Sequence, residues 1–397
     1  MASFPHLNGL RPRSCWLEID LDSLRHNLAA VRSRLKEEQS ILAVVKAEAY
    51  GHGAEMIART FTDCGVDFLG VATLEEALKL REFGIESRIL IMGHTATFTV
   101  DEIINENLTP MIYSYRMLKA LEQEAKKRNE RINIHLKVDT GMGRLGLLPV
   151  DIPDYLEELN NCPHLNLEGV ATHFPVAGEN KYYTDNQIQK FKNVKNTIKE
   201  HGISPRYWHL SNSAGIISDS EPGDNLVRPG ISLYGYPPHE EVSLPGLEPV
   251  MEVKSKLADF KQLQPGEGVS YGRRYIPEEP TYVGVLPLGY ADGYPRDFSN
   301  RSYVLKGGEE KDVLGSVCMD MTIIKLHKDD DPEETVTIMG RDGSKELWAD
   351  RLAGWHDTIV YEILTRFSQR LPRLYFEDGQ VVAIKTERDI HMLKDTK

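Results

Sequence analysis

Between residues 41 and 228 the chain carries eight short apolar runs rich in β-branched residues: Ile41–Lys46, Phe68–Ala72, Arg88–Met92, Leu108–Tyr113, Ile132–Val138, Leu167–His173, Arg206–Leu210 and Leu226–Arg228. Most are separated by stretches with apolar residues at helical spacing, among them LEEALKLREFG and YRMLKALEQEAKKRNE. A strand that is apolar along its whole length has to be covered on both faces, which implies a parallel sheet under helices. Eight such units in succession fit a (β/α)8 TIM barrel. The alternative is an open doubly wound sheet, which needs a glycine-rich turn after its first strand. The run ILAVVK leads instead into AEAYGHG, which is not G-x-G-x-x-G.

The pattern changes near residue 247. EVKSKLADFKQL, EGVSYGRRY, TYVGVLPLGY, VLGSVCMDMTIIKL and ETVTIMG are strand-like runs broken by Gly, Pro and Asp, and a helical pattern returns only at WADRLAGWHDTIVYEILTRF. The expected organisation is therefore a barrel over 1–246 and a mainly β domain over 247–397, with VSLPGLEP as the boundary. Ahead of the barrel, WLEID (16–20) reads as a strand and a candidate to join the second domain. LDSLRHNLAAVRSRL continues from it as a helix that Asp20 or Asp22 can cap.

Composition narrows the function classes. A chain of 397 residues holds more than one domain's core, and 47 Lys+Arg against 60 Asp+Glu leave a net charge of −13 with no basic block to track a phosphate backbone. Nucleic acid is not an expected partner. Cys15, Cys64, Cys162 and Cys318 are scattered singly, without metal-ligand spacing, so neither a disulfide framework nor a metal site is expected. No apolar stretch is long enough to span a membrane or form a signal core, and the cytoplasm is the expected compartment.

Chemistry in such a barrel sits at the C-terminal ends of the strands. Lys46 ends the first apolar run, where desolvation lowers an amine's pKa and exposes the neutral nucleophile; position alone reads equally as a lysine reaching out to solvent. Asn212 and Ser213 in HLSNSAG, with Gly230 and Ile231 after Arg228, suit a phosphate at a turn rich in N–H groups, although Ser and Gly are also ordinary loop residues. Arg144, between glycines in GMGRLG, suits an anion, and Arg228 comes after Leu-Val and needs an acceptor because it cannot shed its charge. His173 reads as a core residue or as a ligand contact.

VVKAEAYGHG, LKVDTGMGRLG, THF, HLSNSA, VRPGISLYG, VSYG, GYADGY, SVCMD and YEILTRFSQRLPR, in this order across both halves, resemble the alanine racemases from about Arg11 to Arg373. The resemblance implies pyridoxal 5′-phosphate held by Lys46 as a Schiff base, with Lys46 the base on one face of the substrate α-carbon and Tyr271 on the other. It implies that Arg144 favours the phenolate, that Lys137 is a candidate for carbamylation, and that His173 and Arg228 face the cofactor ring. Tyr50, Asn212, Ser213, Gly230, Ile231 and Tyr361 would contact the phosphate. Tyr271, Tyr290, Met319 and Asp320 would be donated across a homodimer to composite sites, and D-alanine would be made for peptidoglycan.

Two departures stand out: Glu48 replaces the usual Asn of this motif, and Val360 stands before Tyr361 where proline is common. Racemases of serine or basic amino acids, a decarboxylase of the same architecture, and a non-catalytic cofactor carrier built on the barrel alone are the competing readings. The carrier has no use for the residues beyond the barrel, Tyr271 among them.

Overall fold

Each apolar run of the first half forms a strand in the computed structural model, which describes residues 13–218, 222–239 and 241–393. After β1 (Cys15–Asp20), which belongs to a different sheet, come β2 (Ser40–Val44), β3 (Phe68–Val71), β4 (Arg88–Ile91), β5 (Thr109–Ile112), β6 (Ile132–Lys137), β7 (Leu165–Ala171), β8 (Tyr207–His209) and β9 (Leu226–Val227). All neighbours are parallel, in the order β8-β7-β6-β5-β4-β3-β2-β9. The ring closes between β8 and β9: Asn225 N–H donates to the Trp208 carbonyl at 3.0 Å and Arg228 N–H to the Ser211 carbonyl at 2.9 Å. This is the TIM barrel that the alternation implies.

Leu42, Leu69, Ile89, Leu136 and Val170 are fully buried in these strands. Each such side chain contributes roughly 1.5–3 kcal/mol by leaving water. The intervening helices carry their own start and stop signals. Thr73 and Glu76 form a capping box on the helix Leu74–Glu82, and Ser114 caps Tyr115–Arg128, which ends at the left-handed Asn129.

Contacts separate this barrel, Arg25–Ala49 with Ala54–Glu248, from a second unit made of the described residues of Met1–Leu24, Tyr50–Gly53 and Pro249–Lys397. The second unit is built on twelve strands. β10 (Met251–Ser255), β11 (Asp259–Leu263), β12 (Thr281–Leu286), β13 (Tyr303–Lys306), β14 (Glu309–Leu314), β15 (Thr322–Leu326), β16 (Val336–Asp342), β18 (Arg373–Glu377), β19 (Gln380–Lys385) and β20 (Ile390–Met392) join β1 in one path, and β17 (Lys345–Leu347) pairs with β16. β1 lies between β10, antiparallel, and β18, parallel. Asp20, at its end, caps the next helix by accepting the N–H groups of Asp22 and Ser23 at 2.8 and 3.0 Å.

Two local readings change. The run EGVSYGRRY is not a continuous strand: around Tyr271 it is a corner, because Ser270, Gly272 and Arg273 take positive φ (60°, 74° and 46°), which interrupts a ladder. The late helix is two, Ala349–His356 and Val360–Arg366, broken at Asp357 with φ 53°. Among the described residues no helix is long and apolar enough to cross a membrane.

Candidate active site

The C-terminal mouth of the barrel collects five cationic or ionisable side chains, four of them delivered by strand ends. Lys46 lies just past β2, Lys137 ends β6, His173 lies just past β7 and Arg228 just past β9. Arg144 stands in the loop after β6. Lys46 leads into a turn with no glycine in it, yet Ala47, Glu48, Ala49 and Tyr50 all have φ between 51° and 55°. Left-handed backbone costs an L-residue roughly 1–2 kcal/mol, so four in a row need outside support. One source is Glu76, whose Oε1 accepts the Ala47 N–H at 2.6 Å.

The amine of Lys46 has no hydrogen bond or ion pair among the described residues; burial pushes its pKa below the ordinary lysine value, the charge of Arg144 adds to this, and Glu76 opposes it. Lys137 is held well below its usual range by burial, then by Arg228 and Arg144. Burial also keeps His173 neutral, reinforced by Arg228, Lys137, Arg144 and Lys46. These mutual effects show that the groups share one neighbourhood.

Arg228 is only 5% exposed. Its guanidinium donates to the carbonyls of His209 (2.7 Å), Thr172 (2.7 Å) and Leu210 (3.1 Å) and lies 3.4 Å from His173 Nδ1. Burial brings its pKa down to about 10, so it remains a cation at neutral pH, solvated by backbone instead of a carboxylate.

Arg144 is exposed and its guanidinium is unpaired among the described residues, but its backbone is fixed. The Asp139 carboxylate accepts the N–H groups of Gly141, Met142 and Gly143 on one oxygen (2.9, 2.8 and 3.1 Å) and of Arg144 on the other (3.1 Å). Burial alone would raise the Asp139 pKa; the four donors outweigh it and lower it. The loop returns at Gly146, where φ is 132° and a Cβ would come within 2.6 Å of the Asp139 nitrogen.

On the β8–β9 side, three donors converge on Ser213 Oγ: Gly230 N–H (2.9 Å), Ser232 N–H (3.4 Å) and the Ser232 hydroxyl (3.0 Å). The Ser213 proton itself has no acceptor among the described residues. Ile231 opens the next turn, where an N–H has no partner within the turn. Asn212 is differently used: its Oδ1 accepts Gly215 N–H at 3.0 Å and its amide donates to the Phe174 carbonyl at 3.1 Å, so it shapes the turn.

In the second unit the rings of Tyr50 and Tyr361 lie 6.0 Å apart at 48°. Burial raises both phenols, that of Tyr361 to about 12. Elsewhere in this unit Tyr271, Tyr290, Met319, Asp320 and Met321 line a depression of about 960 Å³. Tyr271 is 77% exposed and Met319 53%. The backbone of Tyr271 is secured, its carbonyl accepting the Ser316 hydroxyl at 2.9 Å, while its phenol is unpaired among the described residues. Asp320 is already engaged by Arg370 at 2.7 Å.

Asp139, Glu76 and Gln187, which donates to the His173 carbonyl at 3.1 Å, are functional supports that sequence reasoning missed. Only Asp139 left a signal: an Asp directly ahead of TGMG is placed to accept several successive N–H groups. No cluster of His, Cys, Asp and Glu suited to a metal occurs among the described residues.

Fold and site define a barrel whose mouth holds a lysine unpaired among the described residues beside several cationic groups, in a chain that also carries a large sheet. Two family models match in succession: alanine racemase, N-terminal domain, over residues 19–238, and alanine racemase, C-terminal domain, over residues 250–375. Alanine racemase 1 of Clostridium acetobutylicum is 37% identical over 381 residues, covering 94% of this chain and 98% of its own. The solved alanine racemase of Clostridium difficile 630 superposes with a TM-score of 0.90 at 36% identity, covering 96% of this chain and 100% of that one. That of Bartonella henselae, described with covalently bound pyridoxal phosphate, gives 0.82 at 25% identity, covering 92% and 100%. The chain belongs to the alanine racemase family.

Proposed function

We propose that this chain is an alanine racemase, an isomerase that interconverts L- and D-alanine with pyridoxal 5′-phosphate and supplies the D-enantiomer for peptidoglycan. The observation that carries the reading is Lys46: an amine unpaired among the described residues, with a lowered pKa, just past the first barrel strand, in a mouth it shares with Arg144, Lys137 and Arg228. The residues present fit the cofactor. The free proton of Ser213 and the N–H of Ile231 await an acceptor such as a phosphate oxygen. Tyr50 and Tyr361 are the hydroxyls that the family resemblance assigns to the same group. When bound, the cofactor supplies an electron sink for the charge left on the α-carbon.

Lys46 holds the cofactor, and its neutral form takes or returns a proton at one face of the substrate. Tyr271 serves the opposite face, because racemisation needs two acid/base groups flanking a flat carbon. The Arg144 guanidinium, unpaired among the described residues, is the natural grip for the substrate carboxylate. Arg228, held as a cation by three carbonyls, would stand toward the cofactor's ring nitrogen and disfavour its protonation, and His173, whose pKa burial lowers, would stand beside that ring. Lys137, whose neutral amine is strongly favoured, is suited to carbamylation, which would give Arg144 an anionic partner.

Tyr271, Tyr290 and Met319 are exposed on the second unit, which supports a homodimer in which they complete the partner's barrel mouth, with Asp320 orienting through Arg370. All four cysteines are free thiols, in keeping with the reducing cytoplasm.

The test is exchange at the α-carbon in heavy water across a panel of L-amino acids. Alanine should exchange fastest and yield its D-enantiomer. Preference for serine or a basic amino acid, or release of carbon dioxide, would overturn the assignment.

A further inference from the structure

The left-handed turn after Lys46 has no glycine and includes Glu48, a residue type that does not favour this backbone. Two side chains of one helix, Leu74–Glu82, reach it. Glu76 accepts the Ala47 N–H at 2.6 Å while its other oxygen accepts Ala72 N–H at 2.6 Å and Thr73 N–H at 3.3 Å, so the carboxylate ties the turn to the end of β3. Lys79 lies three residues on, on the same helical face, and pairs with the Glu48 carboxylate. The Lys79 ammonium also reaches Glu55 at 3.2 Å, and Glu55 is nearly buried in the helix Ala54–Asp63 beyond the turn. Lys79 thus bridges the middle of the turn and the helix beyond it. Partly exposed ion pairs add little stability, so the role of this one is geometric.

We infer that Glu48 and Lys79, with Glu55, are positioning residues that hold the left-handed turn and so aim the Lys46 amine. The carboxylate at position 48, where the motif of the resembled family has Asn, is matched by its own cation on the neighbouring helix. Asn tolerates left-handed backbone and would need no such partner. The inference rests on Lys46 being the residue that takes the cofactor.

The test uses the full-length chain stripped of cofactor and titrated with pyridoxal 5′-phosphate, followed by absorbance, with kcat, KM and thermal midpoint recorded alongside. Glu48→Gln and Lys79→Met should each weaken cofactor binding about fivefold, the scale of one destabilised turn residue, and shift the pH at which the bound cofactor's absorbance changes. KM and the thermal midpoint should move little. Glu48→Asn, alone or combined with Lys79→Met, should bind as the native chain does, and Lys79→Arg should rescue. The inference is overturned if Glu48→Gln and Lys79→Met bind and titrate like the native chain, or if Glu48→Asn is as weak as Glu48→Gln. Lys46→Ala separates the two levels: a variant that still develops the native absorbance sinks the parent reading, whatever the clamp variants do.

Discussion

The barrel mouth and the depression on the second unit contrast in how their groups are held. At the mouth the supports come from within the same unit: Arg228 by three carbonyls, the backbone of Arg144 by Asp139, and the turn of Lys46 by Glu76. On the second unit the backbone of Tyr271 is secured, but its phenol, with the neighbouring Met319 and Tyr290 side chains, faces outward. Around Arg228 the mouth is preorganised and desolvated, the state in which charges act strongly; the depression presents Tyr271, Tyr290 and Met319 to solvent. The proposed chemistry is thus divided between a barrel mouth whose groups are held within their own unit and a patch on the second unit whose side chains are displayed.

This division can be broken most directly at Lys46. Lys46→Ala should remove the visible absorbance of the bound cofactor and lower kcat/KM by about 10⁴-fold or more, since it deletes both attachment and one base. Tyr271→Phe should cost about 10²–10⁴-fold in kcat/KM while cofactor affinity measured by titration stays native. If affinity falls as well, the displayed half takes part in binding and the division is wrong.

Asp139→Asn should weaken catalysis on the order of tenfold, seen as a higher KM for alanine, because a neutral amide cannot accept four N–H groups as a carboxylate does. The Asp139 pKa is lowered in the fold, so the loop's stabilisation is complete above the ordinary aspartate pKa and is lost as pH falls through the depressed one.

The smallest effect concerns Lys137. Its ammonium is disfavoured in the fold, so the penalty is full below the depressed pKa and disappears as pH rises past the ordinary lysine value. In carbon dioxide-free buffer at neutral pH, Lys137→Met should therefore raise the thermal midpoint of the cofactor-free chain by about 2 °C, and the gain should vanish near pH 11.

The barrel was legible because burial on both faces writes itself as uninterrupted Val, Ile and Leu; even the two-residue β9 arises from such a run. Lys46 and Arg228 were legible for the same reason, as charges that end apolar strands. The turn at AEAY was not, since Ala and Glu favour right-handed helix locally, and the left-handed path is imposed by Glu76 and Lys79, both remote in sequence. Tyr271 falls within the strand-like run EGVSYGRRY, while the φ values that make a turn there belong partly to Ser270 and Arg273, which carry no such signal. The four-fold cradle of Asp139 depends on a loop folding back on one side chain, which no spacing rule encodes.

The carbonyls that hold Arg228 have a further consequence. A guanidinium held by neighbouring carboxylates loses a partner whenever one of those side chains is replaced. Main-chain oxygens are present whatever amino acid is coded, so only a shift in the path of the strand ends at Thr172, His209 and Leu210 could withdraw them. The support of this charge is thus supplied by the barrel's own main chain, whatever side chains stand beside it.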